Sequence, residues 1–460
     1  MKRRVALAVM AFLVVSSFAG VNVRAVTVND IVVIVSDYVN DSKVVAGALL
    51  NFTGSPPMVF ENVTFQWFNP NGSLVYETAS QPDGSGLARS NHTVDQTGEW
   101  WVNASYSQPP DIFFHNDSFQ VLDEHWNSSS RVVERDLMVG EGATLTIDPG
   151  APIAFDNGTR LSISGTLIAQ GAWDRTIVFT SNSSSPGKGD WDGVYFYAGS
   201  ESSVFDFAKV EYSENGAYVQ SAATAIQNCT FENNTHGIRL SVSTSLIYNN
   251  TMINNGYGFR SYLSHPVLVL NIAVSNVYGF FSEGSALFVS QMNTAQGNEQ
   301  VGFHLDFTTV QSTGDTSVGS LVGLRLGSSA GRIEAGNISG LDDGVYGYDS
   351  SATFYNSTVG GSLRDFFLEA GSSLVIVNST FGGKVSAGNG CPACYLFVRN
   401  YLTIRTIVHE TSEPVENATV KLTDNGMEVL FNLTGSQGYI WNITLAHETY
   451  DDGVRRDNDT

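Results

Sequence analysis

The chain has 460 residues and a formal charge of −22, from 23 Lys+Arg against 45 Asp+Glu. So acidic a balance argues against a nucleic-acid partner, which needs basic surface. A 42% hydrophobic content argues against global disorder, and the length exceeds one ordinary domain. Only 15% of residues are charged, against roughly a quarter in an average domain. The remaining polarity comes from Ser, Thr, Asn and 45 Gly.

Met1-Lys2-Arg3-Arg4 is a positive start, Val5–Phe18 an apolar run, and Val23-Arg24-Ala25 a small-residue cleavage site. This reads as a signal peptide over 1–25, with an uncleaved anchor as the other reading. No later stretch is apolar for 18 residues. The expectation is a secreted or cell-surface protein with no membrane span after cleavage. Twenty Asn-X-Ser/Thr sequons occur among thirty-five Asn. With Ser and Thr about a fifth of the chain, chance gives roughly seven. Asn40, Asn51, Asn62, Asn103, Asn233, Asn356, Asn378 and Asn442 stand as glycosylation candidates. Ser/Thr/Asn-rich turns are the competing source of such triplets.

Helix-period patterns are absent after the signal segment, and short alternating stretches bounded by Gly, Asn, Asp and Ser recur, so the chain reads as all-β. Over 26–122 the expected strands include Ile31–Val35, Val44–Phe52, Val63–Phe68, Leu74–Glu77 and Trp100–Tyr106, with Asn69-Pro70-Asn71-Gly72 as a hairpin turn. That density fits a β-sandwich. Gly98 to Tyr106 resembles the late core strand of Ig-like domains, without the paired cysteines of antibody domains.

From 126 to 390 the pattern changes. A Gly-φ-x-φ unit recurs at Gly193, Gly216, Gly237, Gly258, Gly279, Gly302, Gly323 and Gly344, with Asp365 in the next slot. The intervals are 21 or 23 residues, which predicts a solenoid with one coil per repeat. The position after each Gly reads Val194, Ala217, Ile238, Phe259, Phe280, Phe303, Leu324, Val345 and Phe366. Two further on stand Phe196, Val219, Leu240, Ser261, Ser282, Leu305, Leu326, Gly347 and Leu368. Both rows are apolar or small and are expected to face inward. Asn234, Asn255 and Asn276 recur three residues before Gly and predict a stacked turn ladder.

These repeats resemble the right-handed parallel β-helix family, which includes pectin-degrading enzymes, tailspikes and surface proteins. Leu137–Gly150, Thr159–Ile168 and Gly189–Val194 resemble its opening coils. The resemblance implies a fold, not an activity. Over 400–450, Leu402–Val408, Pro414–Leu422 and Thr434–Tyr439 resemble the small carboxypeptidase-regulatory-like sandwich, followed by a polar tail at 451–460. The two sandwiches are expected to shield the open solenoid ends.

Two residues past each Gly the outward row reads Tyr195, Tyr218, Arg239, Arg260, Phe281, His304, Arg325, Tyr346 and Phe367. The next outward row includes Tyr262, Glu283, Asp306 and Tyr348. A solvated β face normally carries Ser, Thr, Asn and Lys. An aromatic and basic ribbon suits an extended ligand, because rings stack on sugars and Arg takes carboxylates or sulfates in a fork. It equally suits ladder packing beneath a covering segment. The expected partner is an extracellular polysaccharide or a surface protein. The alternative is a polysaccharide hydrolase or lyase, since Glu283 and Asp306 fall on adjacent coils at a separation suited to a retaining pair, with His304 beside them. The polygalacturonase motifs do not match: Asp342-Asp343-Gly344 lacks the preceding Gly, and Arg332-Ile333-Glu334 stands where Arg-Ile-Lys is expected.

No cofactor is expected. The eight His are scattered, and structural calcium at Asp190/Asp192 or Asp342/Asp343 is the one metal reading. Cys391-Pro-Ala-Cys394 reads as a redox motif, a metal half-site or a local disulfide. The lack of a second Cys pair favours the disulfide. Cys229 reads as a buried thiol.

Overall fold

The computed structural model describes residues 27–53, 60–388, 391, 393–424, 427–451 and 453–457. The expected signal segment lies outside them. The described residues are all β, and among them no helix is long and apolar enough to cross a membrane. They fall into two units: 27–35, 45–91 and 100–118, and 36–44, 92–99 and 119–460.

The first unit is built of antiparallel strands. Thr27–Ile34 pairs with the later half of Lys43–Thr53, and Val63–Phe68 pairs with both Leu74–Ser80 and Gly98–Gln108. Asn69 closes the expected hairpin: its oxygens accept from Gly72 N and Ser73 N. Val63, Phe65 and Trp67 alternate inward and are fully buried, with Trp67 Nε1 donating to Ser90 Oγ at 3.1 Å.

The second unit is the solenoid. One coil runs His236–Ser241, Leu246–Tyr248 and Thr251–Ile253, one strand on each of three faces. Each strand pairs in parallel with its counterpart about 21 residues on. Both expected inward rows are buried, from Val194 and Phe196 to Phe366 and Leu368. No coil can bury its own apolar face, so the core is continuous along the stack.

The recurring Gly has a steric cause. A Cβ on Gly237, Gly258 or Gly279 would lie 2.5–2.7 Å from the carbonyl oxygen of the next coil's Gly. The coils approach there more closely than any side chain allows.

Each corner is a two-residue step. The first residue takes a left-handed backbone, and the second turns its side chain into a ladder. Val242, Leu263 and Phe307 hold φ of 47–52° at the first corner, and Asn228, Asn249, Leu270 and Met292 hold 51–58° at the second. At the third, Asn233, Asn254 and Ser275 do the same. The expected ladder forms there. Asn234 N donates to Asn255 Oδ1 at 2.9 Å, Asn255 N to Asn276 Oδ1 at 2.8 Å, and Asn276 N to Asn298 Oδ1 at 3.1 Å. A second ladder, Asn250, Asn271, Asn293 and Asp315, runs up the second corner. Buried Asp315 ends it, and burial raises its pKa.

Two strands pair across the expected domain limits. Asp37–Val39, inside the span read as a sandwich, belongs to the solenoid unit: Tyr38 pairs in parallel with Met138 and with Val121. Tyr38 and Val39 are buried, and their strand pairs onto the Leu137–Val139 edge of the solenoid. At the other end, Tyr395–Arg405 runs across the expected limit at 400. It pairs in parallel with Ser373–Val377 and antiparallel with Tyr439–Asp451. The last coil's edge is thus continued by a strand whose other edge is paired antiparallel, while Thr419–Asp424 and Met427–Leu433 pair as an antiparallel hairpin.

Candidate binding face

The outward row stacks in register along the first face. Tyr195, Tyr218, Arg239, Arg260, Phe281, His304, Arg325, Tyr346 and Phe367 are successive direct partners. All are half-buried except His304, which is 7% exposed. Tyr262 and Tyr348, on the neighbouring row, are each 48% exposed.

A further row was not legible from alternation. His236, Tyr257 and Tyr278 precede the Gly positions and stack on one another, with centroids 5.2 and 5.0 Å apart. They pack against outward Arg260 and Phe281, although Tyr257 is only two residues from inward Phe259. The bend at the Gly column breaks the period of two, and the signal that would have found this row is the bend.

The arginines lie over rings. Arg239 sits 4.8 Å from the Tyr218 centroid, Arg260 4.9 Å from Tyr257, and Arg325 5.2 Å from Tyr346. Arg260 Nη1 lies 3.2 Å from His236 Nε2. Burial first, and then Arg239 and Arg260, push the His236 pKa down to about 4, so the ring is neutral at ordinary pH. Burial likewise pushes the Tyr195 and Tyr346 hydroxyls up to about 12. They act as hydrogen-bond groups: Tyr195 accepts from Asn215 Nδ2 at 2.9 Å, and Tyr346 donates to Glu369.

Glu283 and Asp306 are direct register partners, as their spacing implied. Asp306 bends onto His304, with Oδ2 at 2.9 Å from Nε2, and its other oxygen fills the space left by the missing side chain of Gly327. The His304 ring lies under Phe281 and beside Tyr278. Its burial sets it apart from the other, partly exposed members of the row.

At the two expected calcium positions, Asp190 and Asp343 are engaged by protein groups. Asp190 accepts from Ser181 Oγ and Gly187 N, and Asp343 takes Arg364 in a two-pronged pair at 2.6 and 2.8 Å. Among the described residues no cluster of three His, Cys, Asp or Glu is arranged to hold a metal. Cys391 and Cys394 are joined by a disulfide. Cys229 is a free, buried thiol whose pKa burial raises to about 12.

Several sequons have a structural source. Asn228, Asn249, Asn356 and Asn378 occupy the left-handed corner position, and Asn233 the equivalent one at the next corner. The following residue enters a buried ladder, and the third opens or precedes a strand where Thr fits. The corner step therefore writes Asn-X-Thr. Asn249 donates to Asn228 and Asn378 to Asn356, at 2.7 and 2.8 Å. Asn51, Asn62, Asn356 and Asn378 are exposed, Asn103 and Asn233 half-buried, and the Asn40 Oδ1 is buried without a partner. Asn442 falls in Tyr439–Asp451.

Residues 176–316 match the family model described as the right handed beta helix region. No curated protein matches the chain. Among solved structures it aligns with a pectate lyase of Erwinia chrysanthemi in complex with tetragalacturonic acid, at 8% identity and a TM-score of 0.13, over 81% of this chain and 89% of that one.

Proposed function

We propose that this is a secreted or cell-surface glycoprotein whose first solenoid face is a non-catalytic binding ribbon for an extended extracellular polysaccharide. The carrying observation is the unbroken register from Tyr195 to Phe367, partly exposed throughout apart from His304. Coils repeat every ~4.8 Å, so one face presents equivalent groups at a short, fixed step. A polymer of like units can use such a repeat, and exposed Tyr262 and Tyr348 give ring faces for stacking on sugars.

A second reading is favoured by one feature. Glu283 and Asp306 are register neighbours on this face, so a bound chain would pass two carboxylates on adjacent coils, the arrangement of a polysaccharide hydrolase or lyase. One gel-filtration experiment separates the readings, using the protein with neutral, uronic and sulfated polysaccharides. Co-elution without shortening supports the ribbon. Shortening that Asp306→Asn abolishes supports catalysis. Neither co-elution nor shortening rejects the glycan reading and turns attention to a surface-protein partner.

A further inference from the structure

We propose that Arg239 and Arg260 form a paired-guanidinium site for the acid groups, carboxylate or sulfate, of the polysaccharide; this rests on the ribbon reading above. The two residues are direct register partners on adjacent coils, so two like charges stand one coil apart. Arg239 Nη1 has Asn215 Oδ1 at 3.5 Å, and Arg260 Nη1 has His236 Nε2 at 3.2 Å. Each guanidinium has five N–H donors, so most of each fork is uncommitted.

Among the described residues no carboxylate lies within 4.0 Å of either guanidinium. Elsewhere in the same unit the chain supplies such partners freely: Arg160 to Asp136, Lys209 to Glu211 and Glu232, Arg332 to Glu334, and Arg364 to Asp343. A chain of charge −22 thus leaves two adjacent arginines without a counter-ion on its proposed binding face. Neutral His236 accepts from Arg260 and adds no negative charge. Tyr218, Tyr257 and Phe281 hold the guanidinium planes in place before a ligand arrives. An oxyanion between the forks would remove the mutual repulsion and take charge-assisted hydrogen bonds from both.

The test uses the full chain, an Arg239→Gln/Arg260→Gln variant and a Tyr262→Ala/Tyr348→Ala variant. Calorimetric titration is run against a neutral glucan, a polyuronate and a sulfated glycan. Melting is followed in sodium sulfate against sodium chloride at equal ionic strength. The expected result is tighter binding of an acid-bearing polymer, weakened about a hundredfold in the arginine variant, with neutral-glucan binding unchanged. Preference between polyuronate and sulfated glycan identifies the acid group. Unchanged binding of both acidic polymers by the arginine variant, with losses in the tyrosine variant, overturns the pair and keeps the ribbon. If no polymer binds, the ribbon reading fails and sulfate decides the pair. A sulfate-specific rise in melting temperature that the arginine variant loses supports it, and equal rises overturn it.

Discussion

The two ends of the binding face treat their arginines in opposite ways. Near the C-terminal end, Arg364 grips buried Asp343 with two short bonds and lies 3.7 Å over the Phe367 ring. Toward the N-terminal end, Arg239 and Arg260 lie over rings with no carboxylate partner among the described residues. All three lie over a ring, and what separates them is the counter-ion. An arginine whose charge is matched inside the fold is a structural element. One whose charge is left open can still respond to a ligand.

The largest expected effect breaks the matched end. Arg364→Ala leaves the Asp343 carboxylate, 4% exposed, without its cation. It should cost about 3 kcal/mol in urea unfolding, because removing one partner of a buried pair strands the other. Asn255→Ala tests the frame behind the open end. It removes the acceptor for Asn234 N and the donor to Phe231 O, and a loss of about 2 kcal/mol is expected from two stranded buried groups. Gly258→Ala should cost about 1–3 kcal/mol as an overpacked contact, since its Cβ meets the Gly279 carbonyl at 2.7 Å. It should also disturb Arg260 two residues on, weakening acidic-polymer binding more than an equally destabilising core change elsewhere.

Acid sharpens the comparison. His236 has a folded pKa of about 4 against an ordinary 6.5, so between those values the unfolded chain binds the extra proton. Stability should therefore fall as pH drops from 6.5 toward 4, and His236→Gln should flatten that slope. The smallest effect belongs to the open pair. Arg239→Gln/Arg260→Gln strands no described carboxylate and should change stability by under about 1 kcal/mol in the same urea assay. A loss as large as that of Arg364→Ala would show that the two ends are alike after all.

Much of the solenoid was legible because each coil obeys the same local rule. The apolar positions after Gly193 through Gly344 repeat in sequence because they repeat in space, and the Asn234–Asn255–Asn276 ladder was visible for the same reason. The second ladder was harder to see. Its members interleave with the first, and its column changes from Asn293 to Asp315 and then to the Ser357 series. The pairing of the terminal strands was not legible, because strand composition does not reveal its partner. Tyr38 reads as a sandwich residue yet pairs with Met138, 100 positions away. The Asn-X-Ser/Thr excess suits glycosylation or turn composition, and five of those triplets follow from corner geometry.

The sequence by itself determined the coil length, the inward rows and which residues share the outward column. Those follow from the period of the chain and the two-residue alternation of a strand. Only the tertiary structure decided which arginines are neutralised, that Tyr257 turns outward beside Arg260, and that His304 is buried under Phe281. The reason is physical. Charge pairing and ring packing are set by side chains on neighbouring coils, about 21 residues away, and by a bend at the Gly column that no alternation pattern records.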